Sequence, residues 1–248
     1  GTWDYLQSTQ IASDYDRYFA DSDLMKLDID VLDDMLPPDG RELTVLDLGC
    51  GTGRISRTLL PRGFTMVNLD LSPSMLSELE RSTDPLYRHR CQTILANLVD
   101  VDVHVERKSI DVAVCLFSTI GMIRGRKWRR KMLCGIRTRL RAGGKFLVHV
   151  HNRHRSWLDP GGPGWLVSSW LKGLMSAEHE FGDRVYQYRG LPSMFLHIYS
   201  CRELLSDLRY AGFRDVEIFP ISTEGDALLD STSPLVHIYA GGYFAIGQ

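Results

Sequence analysis

Asp47, Gly49, Gly51 and Gly53 stand together in the stretch Val45-Leu46-Asp47-Leu48-Gly49-Cys50-Gly51-Thr52-Gly53-Arg54. Glycine reaches backbone angles closed to other residues and lets a ligand approach the main chain, so alternate glycines read as a ligand-binding turn. A helix start behind such a turn offers unpaired N–H groups to a polar or anionic moiety. A second acid, Asp70, ends the run Phe64-Thr65-Met66-Val67-Asn68-Leu69-Asp70. An acid at the end of a second strand can accept two ribose O–H bonds, one on each oxygen. The glycine spacing is G-x-G-x-G, whereas a dinucleotide fingerprint needs G-x-G-x-x-G, which argues against a nicotinamide cofactor.

A parallel sheet is needed to bring these residues together. Thr44 to Leu48 is apolar and β-branched, and Ile55, Leu59 and Leu60 follow at helical spacing. That unit is strand, turn, helix. Phe64 to Asp70 is the second strand, and Ser72-Pro73 starts a helix with Met75, Leu76 and Leu79 on its apolar face. Arg81 to Arg90 reads as a polar loop. Gln92 to Asn97 and Ser109 to Phe117 are the third and fourth strands, the latter leaving through Ser118 to Ile123. A helix with Met132, Leu133, Ile136 and Leu140 on one side ends at Ala142-Gly143-Gly144, and Lys145 to His151 is the fifth strand. Ser200-x-x-Glu203 is a capping box opening a helix that runs to Gly212. Val216 to Phe219, and Val236 to Ala240 running on to Ile246, supply the closing strands.

Together these residues resemble the class I S-adenosylmethionine-dependent methyltransferase family. Asp47, Gly49, Gly51 and Gly53 match its first motif and Asp70 its acidic post-motif. The resemblance implies an α/β fold: a seven-stranded, mostly parallel, doubly wound, Rossmann-like sheet. It also implies transfer of a methyl group from S-adenosyl-L-methionine to a nucleophile, leaving S-adenosyl-L-homocysteine. Gly49 to Gly53, Cys50 included, would bring main chain against the methionine moiety, with Asp47 orienting it and Asp70 taking the ribose. Leu71, Leu98 and Phe117 would sandwich or edge the adenine, and Asn97 stands where the family often has Asp. Residues 1–40 would form an N-terminal helical lid, with Leu24, Leu27, Val31, Leu32 and Met35 as its stripe and Pro37-Pro38-Asp39-Gly40 as its stop. Tyr15 and Tyr18 either pack on the core or shield the sulfonium, a cation an aromatic face attracts by about 0.5–2 kcal/mol. Residues 41–248 would be the methyltransferase domain. Within it, 156–199 is an insertion over the crevice, read as a turn-rich loop, an amphipathic helix and a hairpin that together cover the substrate.

The junction after the fourth strand narrows the chemistry. It holds no Asn/Asp-Pro-Pro-aromatic run, no Pro-Cys pair and no carboxylate for a magnesium ion. His151, His197 and Tyr199 are the candidates for a general base, with packing as their other use. His149 and His151 point to one strand face and His154 follows, but no spaced carboxylates stand nearby, so no metal is expected. The His151-Asn152-Arg153 corner resembles the glycine N-methyltransferase branch, whose arginine after the fifth strand meets the substrate carboxylate. Here Asn and Arg are exchanged in order, and the role would pass to Arg153. Arg124-Gly125-Arg126-Lys127-Trp128-Arg129-Arg130-Lys131 carries six positive charges in eight residues. It reads as the solvated start of a helix, with an RNA phosphate patch as the other reading.

At 248 residues and 44% hydrophobic content the chain suits one α/β domain with an elaboration. A net charge of −2 gives no global pull toward nucleic acid or anionic membrane. Five cysteines without C-x-x-C spacing argue against a disulfide framework or a thiolate zinc site. No apolar run is long enough for a membrane span and no secretory signal is visible, so cytoplasm is expected; the chain begins with Gly1, and a leader could have been lost. The expected acceptor is a small molecule methylated on nitrogen or oxygen. An RNA methyltransferase and a non-catalytic S-adenosylmethionine-binding protein are the alternatives.

Overall fold

A computed structural model describes residues 22–188, 191–233 and 235–248. In chain order its strands are β1 (Thr44–Leu48), β2 (Thr65–Asp70), β3 (Cys91–Leu95), β4 (Ile110–Cys115), β5 (Leu140–His151), β6 (Asp183–Tyr188), β7 (Leu191–His197), β8 (Glu217–Ile221) and β9 (Gly242–Gly247). A seven-stranded sheet takes the order β3-β2-β1-β4-β5-β9-β8, and β6 and β7 form a separate hairpin. The first five strands of the sheet pair in parallel, and β9 lies antiparallel between β5 and β8. This is the doubly wound sheet that the motifs imply. The chain builds outward from β1 to β3, then crosses to the other side of β1 for β4. The loops leaving β1 and β4 therefore part company at their carboxyl ends and open a crevice there.

Both phases of each central strand are apolar. Val45 faces one layer while Leu46 and Leu48 face the other, and β4 divides Val112 and Val114 from Ala113 and Cys115 in the same way. A strand of period two with apolar residues in both phases is stable only when covered on both faces. The helices Asp23–Met35 and Arg54–Leu59 cover one face with Leu27, Val31, Leu32, Ile55 and Leu59. The helices Arg126–Arg139 and Cys201–Tyr210 cover the other with Met132, Leu133, Ile136, Leu204 and Leu208. Ser72 caps the helix Pro73–Ser82 by accepting from the Met75 N–H.

Three expectations need correction. The polar stretch before β3 is ordered as a 3₁₀ helix, Pro85–Arg90, because Asp84 caps it by accepting from the Leu86 N–H. Ala142-Gly143-Gly144 does not end a helix: the helix stops at Arg139, and these residues lie within β5, whose register with β4 shifts between Ile110 and Val112. Val236–Tyr239 is a helical turn, and the last strand starts at Gly242. Val236 and Ala240, four apart, are the buried pair, which is helical spacing and overrides the strand propensity of Val-His-Ile-Tyr.

Tyr15 and Tyr18 lie outside the described residues. The helix Asp23–Met35 is tied to the glycine turn by Arg54, which donates to the Met25 carbonyl at 2.8 Å and to Asp28 at 2.6 Å. Among the described residues no helix is long and apolar enough to cross a membrane. Leu32 is fully buried, so Leu32→Ala should cost about 2–5 kcal/mol in urea unfolding. A loss below about 0.5 kcal/mol would mean that this helix is not part of the core.

Candidate functional site

A cavity of about 630 Å³ lies at the carboxyl ends of the parallel strands. Gly49, Gly51, Asp70, Leu71, Asn97, Leu98 and Phe117 line it, as the sequence leads one to expect. Gly49 has φ +76°, and a Cβ there would stand 2.4 Å from Thr119 Cγ2 on the loop after β4. The turn therefore runs where only glycine fits. The Gly49 N–H donates to the Leu69 carbonyl at 2.8 Å, and the Gly51 N–H donates to Asp70 Oδ2 at 2.9 Å. Asp70 Oδ1 accepts from the Ser72 N–H at 2.8 Å. Each carboxylate oxygen can accept again, so Asp70 keeps capacity for a vicinal diol. Burial raises its pKa, and the Ser72, Gly51 and Leu71 N–H groups pull it back.

Asp47, Cys50 and Gly53 do not line the cavity. Cys50 packs with Leu76 and Leu79, and a Cβ on Gly53 would meet Leu79 Cγ at 2.5 Å. Both residues serve the packing of the turn on the helix Pro73–Ser82. Asp47 is buried, and its Oδ2 has no hydrogen-bond partner. Burial pushes its pKa up to about 7 against the pull of Arg54, with Asp70 and Asp28 adding to the rise. Asn97 uses its Oδ1 to accept from the Val99 N–H at 3.1 Å.

The rest of the cavity comes from the loop after β4, the end of β5 and the hairpin. Thr119, Met122, Ile123, Arg124, His151, Tyr186, Met194 and Leu196 line it. Phe117 and Ser118, at φ 53° and 59°, are two successive non-glycine residues in the left-handed region, a strain that turns the chain sharply into the site. Ser118 Oγ accepts from the His151 N–H at 3.3 Å. Burial lowers the His151 pKa, which keeps its ring neutral near pH 7 and able to take a proton. His149 lies deeper with its ring 5.3 Å away, and burial, His151 and Arg54 hold its pKa well below the usual value.

His197, Tyr199 and Arg153 are not cavity residues. His197 is fully buried, with Nδ1 at 2.8 Å from Asp183 and Nε2 at 2.9 Å from Glu203. Both nitrogens are engaged, which leaves none to act as a base. Burial works against its charge, but the bonds to Asp183 and Glu203 raise its pKa. Tyr199 is fully buried, edge-on to His197 at 4.9 Å. Arg153 donates to Glu203 at 2.9 Å and Ser200 Oγ at 3.1 Å, and stacks on Phe181 at 4.2 Å. These contacts use it inside the protein. Glu203 thus completes only half of a capping box: its N–H donates to Ser200 Oγ, and its carboxylate turns to Arg153 and His197.

The positive run is not a solvated face. Arg129 is fully buried and pairs with Glu180, with Glu203 at 3.6 Å. Arg126 and Arg130 each reach Asp207 at 2.7 Å, and Lys131 reaches Asp100 at 2.8 Å. Arg129 precedes Met132, Leu133 and Ile136 at helical spacing, so its place on the apolar stripe was the available signal. Among the described residues, Glu180, Asp183 and His197 are the group whose donor atoms converge closely enough for a metal, within 4.8 Å. The Arg129 guanidinium already supplies the positive charge there.

Residues 45–144 match a family model described as a methyltransferase domain. A demethylmenaquinone methyltransferase of Tropheryma whipplei is 30% identical over 121 residues, 47% of this chain and 45% of that protein. A glycine/sarcosine/dimethylglycine N-methyltransferase of Actinopolyspora halophila is 29% identical over 190 residues, 74% of this chain and 32% of that protein. The chain thus spans less than half the length of these relatives. Among solved structures, a SAM-dependent methyltransferase from Methanosarcina mazei superposes with a TM-score of 0.65 at 16% identity, covering 88% of this chain and 96% of that one. A glycopeptide N-methyltransferase complexed with S-adenosyl-L-methionine superposes with a TM-score of 0.60 at 16% identity, covering 92% and 94%.

Two outcomes follow from the buried charges. A carboxyl whose pKa rises from the usual 3.8 to about 7 on folding contributes stability that is present below pH 4 and lost as pH climbs through 7. Asp47→Asn should therefore melt close to wild type near pH 4 and above it at pH 8; an unchanged difference across that range would refute the buried protonated form. Arg129→Met removes one partner of a buried pair and should lower stability by about 3–5 kcal/mol in denaturant titration. A loss under about 1 kcal/mol would show that the surrounding acids are solvated.

Proposed function

We propose a reaction for this chain from one premise: it belongs to the class I, Rossmann-like methyltransferase family. It transfers a methyl group from S-adenosyl-L-methionine to nitrogen or oxygen of a small molecule, leaving S-adenosyl-L-homocysteine. One observation carries this reading. One cavity is lined by the glycine turn and Asp70 together with largely apolar residues of the loop after β4 and of the hairpin, with a neutral histidine on its wall.

The residues fit the cofactor. The Gly49–Gly51 main chain admits the methionine moiety, and Asp70 takes the ribose hydroxyls. Leu71, Leu98 and Phe117 flank the adenine, and Asn97 lines the wall beside it. When bound, the sulfonium supplies an electrophilic methyl group. The protein's share is placement and exclusion of water, worth several kcal/mol of barrier. Tyr186, Met194 and Leu196 close the hairpin side against solvent. His151 receives the acceptor's proton where the acceptor is a hydroxyl, and is dispensable for a neutral amine.

Residues 156–199 act as the substrate cover, supported by the hairpin's contribution to the cavity wall. The helix Asp23–Met35 stands on the cofactor side, supported by the bonds from Arg54 to Met25 and Asp28. The RNA reading is the weaker one, because four of the six cations in 124–131 are engaged inside the protein by Glu180, Asp207 and Asp100. Five free cysteines suit a reducing compartment, the cytoplasm.

The test is calorimetric titration of wild type and Asp70→Ala with S-adenosyl-L-methionine. Loss of hydrogen bonds to a charged group, about 1.5–3 kcal/mol, should weaken binding by about ten- to a hundredfold. Equal affinities would remove Asp70 from the site, and no binding to ligand-free wild type would end the cofactor assignment.

A further inference from the structure

The acceptor's chemical class follows from the charges that line the cavity. Asp70 is engaged by the Gly51 and Ser72 N–H groups, and Asp100 by Lys131 at 2.8 Å. Lys131 is thereby neutralised as well. Arg124 is the remaining charged residue of the lining. Its guanidinium lies over the Phe195 ring at 4.3 Å, and among the described residues no carboxylate pairs with it. A ring face holds a guanidinium in place without using its five donors, so the fork stays open to an incoming anion. Its neighbours in the lining are apolar or aromatic: Met122, Ile123, Trp128, Tyr186, Met194 and Leu196.

On the methyltransferase reading above, we propose that the methyl acceptor is an amphipathic anion. Its carboxylate or phosphate is taken by Arg124, and its apolar body lies among Met122, Ile123, Met194 and Leu196. Among the described residues no free acid lines the wall around Arg124 to accept a cationic acceptor, and the neutral ring of His151 adds no second positive charge. A planar guanidinium fork matches both oxygens of a carboxylate, or two of a phosphate, and discriminates strongly against a neutral amide of the same shape.

The experiment measures binding of three probes to the protein saturated with S-adenosyl-L-homocysteine: 2-naphthoate, 2-naphthyl phosphate and 2-naphthamide. The wild type should bind at least one of the two anions about tenfold more tightly than the amide, and the favoured anion identifies the headgroup. Arg124→Met should abolish that preference while Arg124→Lys retains part of it. Equal affinity for anion and amide, binding of none of the probes, or a preference that survives Arg124→Met would each overturn the proposal. Failure of wild type to bind S-adenosyl-L-homocysteine in the first step would count against the cofactor reading instead.

Discussion

The site depends on one short contact, the Gly51 N–H donating to the Asp70 carboxylate at 2.9 Å. It ties the turn after β1 to the end of β2 and sets the edge of the crevice. The same carboxylate collects the Ser72 N–H and so fixes the start of the next helix. The turn has little room to move: side chains at Gly49 and Gly53 would run into Thr119 and Leu79. Parallel strands supply the scaffold, but this knot of backbone and carboxylate makes their ends a binding surface.

That surface carries an electrostatic burden. Asp28, Asp47 and Asp70 are gathered near the turn around Arg54, and burial raises the pKa of each acid. Such an arrangement weakens the protein as pH rises.

Beneath the hairpin the opposite holds, since the charges there are paired. Arg129, Arg153 and His197 meet Glu180, Asp183 and Glu203 in a network that joins the insertion to the helices Arg126–Arg139 and Cys201–Tyr210. Most members of this network have more than one partner, so it ties the hairpin to both helices at several points. The hairpin's side of the cavity wall is thus tied to the fold by charged residues that do not themselves line the cavity.

That Gly49, Gly51 and Asp70 would meet at one crevice was legible because the signals are local, whereas the turning of Cys50 and Gly53 toward the helix Pro73–Ser82 was not. Glycines at alternate positions, an acid at a strand end and a Ser-Pro helix start each act within a few residues, where backbone sterics leave few options. Strand order was legible through the family resemblance of those same motifs. The roles of Arg153, His197 and Tyr199 were not, because each side chain's partner lies on a different element: Arg153 meets Glu203 and Phe181, and His197 meets Asp183 and Glu203. Nor does a run of six cations announce that Arg129 points inward while Arg124, among the described residues, meets a ring face and no carboxylate. By itself the sequence determined the chemistry of the glycine turn and Asp70, since those constraints are carried by neighbouring backbone. Only the tertiary structure decided which charges are cancelled and which stay available, because pairing depends on distances between elements far apart in the chain.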